Sequence, residues 1–265
     1  MKVLFASSEA YPFAMSGGLA DVAGALPKAL RKRFVGCRVV LPLYSSISDE
    51  MREKMTFVCS ITVPVSWRRQ YCGIFEAKYN GVIYYFLDNQ YYFKRQGIYG
   101  HYDDAERFAF FSRAVLEMIP YIDFKPDVIN CNDWQTGPLC AYLKEIYGHM
   151  MPYSKIKTLY TIHNLQYQGR FAPSTLDMMG LPGWTWNNVE FYDSVSFMKM
   201  GLVYCDYIST VSETYAYEIQ TPEYGYGMEV RRNIGAVRGV QPAVWCGFGI
   251  FCRLCQHRLC PESAP

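Results

Sequence analysis

Short apolar runs that alternate with helix-length amphipathic stretches constrain this chain more than any other feature. Lys2-Val3-Leu4-Phe5-Ala6 has the length of a buried strand, and after Gly17-Gly18 the residues Leu19, Val22, Ala23, Leu26 and Leu30 recur at spacings of three and four, on one helical face. Arg38-Val39-Val40-Leu41-Pro42 is a second strand, and the basic Arg31-Lys32-Arg33 before it suits a helix C-terminus. Pro27 falls inside the periodic stretch and predicts a kink there, or a break into two shorter helices. The alternation then continues as helix 103–118, strand 128–129, helix 138–146, strand 158–162, helix 194–204, strand 207–211 and helix 213–219. Such an order predicts an α/β fold: a Rossmann-like parallel sheet with helices on both faces. Residues 56–87 depart from it. Their runs 57–65, 71–78 and 82–87, the last two joined by Asn80-Gly81, predict an inserted β-meander.

With 265 residues, 51% of them hydrophobic, the chain can bury a sizeable core. Aromatics at 17% and charged residues at 19% exclude a disordered chain or a coiled coil. A net charge of +2 gives no electrostatic case for nucleic acid. No uncharged apolar stretch approaches the roughly 20 residues of a membrane span. Val3-Leu4-Phe5-Ala6 gives way to Ser7-Ser8-Glu9, too soon for the apolar region of a secretory leader. Cys37, Cys59, Cys72, Cys131, Cys140 and Cys205 are scattered without the rhythm of a small disulfide-bonded domain, so reduced core thiols and a cytoplasmic location are expected.

The averages conceal a seam. Residues 1–230 carry 21 Lys and Arg against 23 Asp and Glu, a net charge of −2, whereas residues 231–265 carry five Arg, no Lys and one Glu, a net charge of +4. All 23 Tyr lie at or before Tyr226, while four of the ten Cys fall in the tail, at 246, 252, 255 and 260.

Three polar clusters follow strands. Ser16-Gly17-Gly18-Leu19-Ala20-Asp21 lies between the first strand and the first helix, where a glycine turn lets a ligand approach the backbone and the helix N-terminus offers N–H groups to an anion. A phosphate site and a plain tight turn both fit it. Asn132-Asp133-Trp134-Gln135-Thr136-Gly137 opens the helix after another strand; Asp133 is either a helix cap or a ligand contact, and Trp134 either packs or offers a platform to a sugar. Thr161-Ile162-His163-Asn164-Leu165-Gln166-Tyr167-Gln168-Gly169 follows a third strand and brings His163 and Asn164 to the same edge. All three emerge at the carboxyl edge of the sheet, where open α/β folds place ligands. Tyr92, Arg95 and Tyr99 add hydrogen-bonding aromatic surface.

In this order the segments resemble the bacterial glycogen synthase and plant starch synthase family. The likeness runs from Lys2-Val3-Leu4-Phe5-Ala6-Ser7-Ser8-Glu9 through Gly17-Gly18-Leu19-Ala20-Asp21-Val22, Asn132-Asp133-Trp134-Gln135-Thr136, Thr161-Ile162-His163-Asn164-Leu165 and Tyr167-Gln168-Gly169. It continues through Ser196-Phe197-Met198-Lys199, Gly201-Leu202-Val203-Tyr204 and Thr210-Val211-Ser212 to Glu218-Ile219-Gln220-Thr221-Pro222-Glu223-Tyr224-Gly225, covering residues 1–229. The resemblance implies the amino-terminal half of a GT-B glycosyltransferase, an enzyme that transfers glucose from ADP-glucose to the non-reducing end of an α-1,4-glucan with retention. The active site of that fold lies in a cleft against a second, carboxy-terminal domain that this chain does not supply, so the chain is expected to be inactive alone, or to act as a non-catalytic glucan-binding module. By the same resemblance His163 and Asp21 are the catalytic candidates. Met15, Ser16, Gly17 and Gly18 would contact the donor, and Tyr99, Asp133, Trp134, Gln135 and Asn164 the glucan side. No metal and no cofactor is implied, ADP-glucose being a substrate.

Two positions depart from the family pattern: Met15 stands where a lysine is usual, and Asn130 where the strand-end motif often carries His. Residues 230–265 match nothing in the family, which suggests a shifted reading frame or a disordered tail. A Zn²⁺ site on Cys252, Cys255, His257 and Cys260 is the alternative, but two residues from Cys255 to His257 is short for a standard finger.

Overall fold

The computed structural model describes residues 1–228 and, beyond them, the backbone of the two-residue strand Val244–Trp245. The tail cysteines and His257 lie outside the described residues. In chain order the strands are β1 (Lys2–Ala6), β2 (Gly36–Pro42), β3 (Thr56–Val65), β4 (Arg68–Tyr79), β5 (Val82–Asp88), β6 (Val128–Asn132), β7 (Lys157–Ile162), β8 (Arg170–Phe171), β9 (Val195–Ser196), β10 (Tyr207–Thr210) and β11 (Val244–Trp245). Nine of them form one sheet in the order β11-β10-β7-β6-β1-β2-β5-β4-β3, and β8 pairs with β9 separately. From β11 to β5 every pairing is parallel. The expected meander is present, as β3-β4-β5, and it is part of the main sheet: β5 pairs antiparallel with β4 on one side and parallel with β2 on the other.

Strand order explains the layers. From β1 the chain steps outward to β2, then returns past β1 to lay down β6, β7 and β10 on its other side. Right-handed crossovers in opposite directions put their helices on opposite faces. Helix α1 (Gly18–Lys32), the β1–β2 crossover, therefore covers one face and rests on β2. Helices Asp104–Glu117, Gly137–Tyr142 and Phe197–Tyr204 pack in succession on the other. The reversal of direction lies between β1 and β6, and a crevice opens outside the carboxyl ends of strands at such a point.

The sheet core is mainly apolar, with Val3, Leu4, Phe5, Val39, Val40, Ile129 and Leu159 fully buried, and β6, β7 and β10 add a few buried, hydrogen-bonded polar side chains. The six cysteines of residues 1–228 are free thiols, and five of them are buried. No described helix is long and apolar enough to cross a membrane. Of the kink or break expected at Pro27, the break does not occur: α1 is one helix of 15 residues. An internal proline costs a helix about 3 kcal/mol. Here the ring is buried on the same face as Leu19, Ala20, Ala23 and Leu30, where packing against the sheet offsets that loss.

Candidate active site

The turn between β1 and α1 is held by a carboxylate that carried no role in the sequence reading. Glu9, only 3% exposed, lies three residues beyond the end of β1. Its Oε2 accepts the N–H groups of Ser16 and Gly17, and its Oε1 accepts the hydroxyls of Ser16, at 2.7 Å, and of Tyr99. Tyr99 also shares a 2.8 Å bond with Ser8 Oγ. Segment 92–104, which carries Tyr99, is pinned by the fully buried Arg107, whose guanidinium donates to the carbonyls of Tyr92 and Ile98 and to Asp104. Tyr99 thus supports the turn from beneath. Tyr92 is buried with its hydroxyl on Glu106, and Arg95 is paired with Asp103.

Above this support Met15, Ser16, Gly17 and Gly18 are exposed, Met15 by 56%. Gly17 has extended backbone, no side chain caps α1, and Gly18 opens the helix. Neither glycine has a left-handed φ, and a Cβ at either would meet no atom within 4 Å. The protein's own packing therefore does not require glycine at 17 or 18. What the two glycines preserve is open space over the first N–H groups of a 15-residue helix, where an anion is favoured.

Across the β1–β6 crevice the end of β6 meets the loop after β7. Asn132, fully buried, donates through Nδ2 to the carbonyl of Ala6 at 2.9 Å, which binds the end of β6 to that of β1. That leaves its Oδ1 facing His163 Nε2 at 2.9 Å, so Nε2 carries the ring proton and Nδ1 is the acceptor. Burial lowers the His163 pKa from 6.5 to about 4, and the ring is neutral at pH 7. Asp133 sits at φ 54°, ψ −176°, a region that is essentially glycine's and costs a side-chain-bearing residue about 1–3 kcal/mol. Its Oδ1 accepts the N–H of His163 at 2.7 Å and that of Asn164 at 3.3 Å, and it makes no capping bond to the turn of helix that follows. Burial raises its pKa from 3.8 to about 7, against the opposing effect of the two amides and with a further push from the charge of Glu9.

The remaining expected residues separate. Trp134 packs edge-on to Phe108, with Tyr99, Phe171 and Phe197 around it, and a Cβ on Gly169 would come within 2.5 Å of its ring. Gln135 is buried; its carbonyl accepts from Ser112, and its Oε1 has no partner among the described residues. Asn164 is exposed and turns its own loop through Gln166 N–H. Asp21 and His163 line different hollows. His163, with Asn132, Thr161, Val22, Leu26 and Val211, lines a cavity of about 290 Å³ beside α1. Asp21 lines an adjoining groove of about 640 Å³ along that helix, with Tyr11, Lys28, Lys32, Tyr79 and Asn80, and the two hollows share only Ala25 and Ala29. Asn130 lines neither: it is buried within β6, behind Asn132 and Thr161, and bonds Leu159 O and Thr161 Oγ1, which continues to Ser209.

The sequence profile of the starch synthase catalytic domain matches residues 2–232. The chain belongs to the starch synthase catalytic-domain family. It is 58% identical over 249 residues to a glycogen synthase of Geobacillus thermodenitrificans, an alignment covering 91% of this chain and 51% of that protein. It is 54% identical over 246 residues to a glycogen synthase of Clostridium beijerinckii, at 91% and 51% coverage. Among solved structures it is similar to the catalytic domain of starch synthase IV from Arabidopsis thaliana, bound to ADP and acarbose, with a TM-score of 0.79 and 29% identity over 86% of this chain and 48% of that one. The α/β fold and the glycogen and starch synthase family named from the motifs are thus the ones found, and the family is one of GT-B glycosyltransferases. The chain spans about half the length of the relatives it matches.

Of the groups that define the site, Glu9 and Asn132 were assigned no role from sequence. Each had a faint signal: an acidic residue directly after a buried strand, and an asparagine as the last residue of another.

Proposed function

We propose that this chain is the amino-terminal half of an ADP-glucose-dependent α-1,4-glucan synthase, and that it transfers glucose with retention to the non-reducing end of glycogen or a starch primer. The observations that carry this reading are the open glycine turn at the end of β1 and, at the end of β7 on the same sheet edge, a neutral His163 oriented by Asn132. The solved relative bound to ADP and acarbose, a nucleoside diphosphate and a sugar oligomer, supports the same ligand classes.

In the proposed reaction the bond from the anomeric carbon to the diphosphate breaks and a bond to the acceptor 4-oxygen forms, and the acceptor's hydroxyl proton is released with ADP. Such a transition state places positive charge on the sugar and negative charge on the leaving diphosphate. The N–H groups that open α1 suit the phosphate. His163, with its pKa near 4, is not an acid at neutral pH; Nδ1 accepts a hydrogen bond from a sugar hydroxyl and so positions the glucose. Asp133 fixes His163 by holding the backbone that carries it. Nothing in this scheme calls on a cofactor. A carboxy-terminal domain is the proposed partner, closing over donor and acceptor to exclude water. Neither nucleic acid nor a membrane is a proposed partner, and the free thiols accord with a cytoplasmic setting.

Because the chain covers half of its relatives' length, a second reading is kept: a module that binds glucan without turnover. Transfer of labelled glucose from ADP-glucose to glycogen separates the two. Turnover by the 265 residues joined to a complete second half, with little by the 265 residues alone, is the expected result. Glycogen binding in both forms and turnover in neither would establish the module instead.

A further inference from the structure

We propose that Glu9 is the positioning residue of the glycine turn and that it also sets which N–H groups the turn can offer to a ligand. Its carboxylate is buried, makes no ion pair with any described residue, and is satisfied by neutral donors: Ser16 N–H, Gly17 N–H, Ser16 Oγ and Tyr99 Oη. A glycine turn feeding a helix would present such donors to a bound phosphate. Here the first two are already spent on an anion built into the chain. Gly18 and Leu19, the first residues of α1, have no acceptor for their N–H groups among the described residues, and the space above Gly18 is open.

Two consequences follow. Glu9 fixes the extended backbone at Gly17 and with it the direction of the Gly18 and Leu19 N–H groups. Its charge also keeps a diphosphate from settling deeper into the turn, onto Ser16 and Gly17. The local order prepares this: Ser7 Oγ donates to Glu9 O and accepts from Glu9 N, which folds the chain back as soon as β1 ends. Tyr99 completes the cage from a segment ninety residues away. The part of the inference that concerns ligand choice rests on the proposed function; the part that concerns the turn does not.

Backbone amide NMR on the 265-residue chain tests both parts. Without ligand, Ser16 and Gly17 amides are expected to exchange with solvent at least tenfold more slowly than those of Gly18 and Leu19. In Glu9→Gln, whose amide offers one acceptor oxygen where the carboxylate offers two, that protection should fall at least tenfold. Tyr99→Phe, which removes one donor of four, should keep it. On titration with ADP, Gly18 and Leu19 should shift at least threefold more than Ser16 and Gly17 in the wild type, and Glu9→Gln should bring Ser16 and Gly17 into the response. A merely structural role would not move that pattern. Equal exchange at all four amides in the wild type overturns the proposal even if Glu9→Gln does not fold, as does unchanged protection in a folded Glu9→Gln. Silence of all four amides toward ADP, with the protection pattern intact, would refute the phosphate role of the turn and the ligand-choice part of the inference, and leave the positioning role standing.

Discussion

The two halves of the site are built in opposite ways. The turn after β1 is exposed, carries two glycines with empty space above them, and is held from below by one carboxylate. The loop after β6 is buried, it is cross-bonded to the start of the more open loop after β7, and the two hold a strained aspartate and an uncharged histidine. The difference separates two tasks. The turn meets its ligand with backbone, so its side chains can be absent or exposed. The loops meet theirs with a side chain that must be aimed, so they are locked. Changes in the loops should therefore cost folding stability, and changes in the turn should cost binding with little loss of stability.

The largest effect tests the locked half. Asp133→Ala leaves the His163 and Asn164 amides without their acceptor while keeping a side-chain-bearing residue at φ 54°. A loss of about 2–3 kcal/mol is expected, since an unsatisfied buried amide costs roughly 1–3 kcal/mol and the more exposed Asn164 amide adds less than that of His163. For a domain of this size that lowers Tm by roughly 4–12 °C, which calorimetry reads directly. Asp133→Asn keeps an acceptor oxygen and removes the buried charge, so its loss should be under about 1 kcal/mol. If the two variants melt alike, the carboxyl does not hold the loop.

Next comes Met15, exposed on the open half where the family usually has lysine. Restoring the ammonium places a charged donor beside the turn. A charged hydrogen bond is worth about 1.5–3 kcal/mol, so Met15→Lys should tighten donor binding or speed transfer roughly 10- to 150-fold in a version that includes a second half. Tm should not move. Unchanged KM and kcat would mean that the turn does not face the donor phosphates.

How much of this was legible in the sequence follows from how local each cause is. Strand runs and helical spacings depend on neighbours within a few residues, so β1, β6, β7 and the glycine turn could be placed at one sheet edge in advance. The Pro27 outcome could not, because it depends on what the ring packs against. Nor could the work of Glu9, whose partners lie seven, eight and ninety residues away. Asn130 and Asn132 share a face of β6, yet the first ties strands together inside the sheet and the second orients the histidine at its edge. Two residues of depth separate those roles. Asp21, one turn into α1, is paired with His163 by family resemblance, but helix geometry aims it into the neighbouring groove and not into the hollow that His163 lines.

Titration sharpens the comparison further, because the two buried groups oppose each other. Asp133 has its folded pKa raised from 3.8 to about 7, so between those values the native state holds more protons than the unfolded chain, and stability falls as pH rises through the window. His163 has its folded pKa lowered from 6.5 to about 4, so there the unfolded chain holds more protons, and stability rises with pH up to 6.5. In the wild type the two slopes largely cancel. Single variants uncover them, each by at most about 1.4 kcal/mol per pH unit. Asp133→Asn should gain stability from pH 4 to 6.5, and His163→Gln should lose it from pH 4 to 7. Parallel Tm curves for the three proteins would show that neither group is buried as described.

The smallest stability effect bears most on the open half. At Gly18 a methyl group meets nothing within 4 Å and the backbone is not left-handed, so Gly18→Ala asks no atom of the protein to move. Near a helix start alanine is, if anything, the better residue, and Tm should change by less than the equivalent of about 0.5 kcal/mol, in either direction. The same methyl occupies the space through which a phosphate would reach the first N–H groups of α1. Binding of ADP, followed by titration calorimetry, should weaken at least tenfold. A loss of binding at constant Tm is the signature of a glycine kept for its ligand. If Gly18→Ala bound ADP as tightly as the wild type, the open turn would be ordinary surface, and the contrast between the two halves of the site would rest on the histidine loop alone.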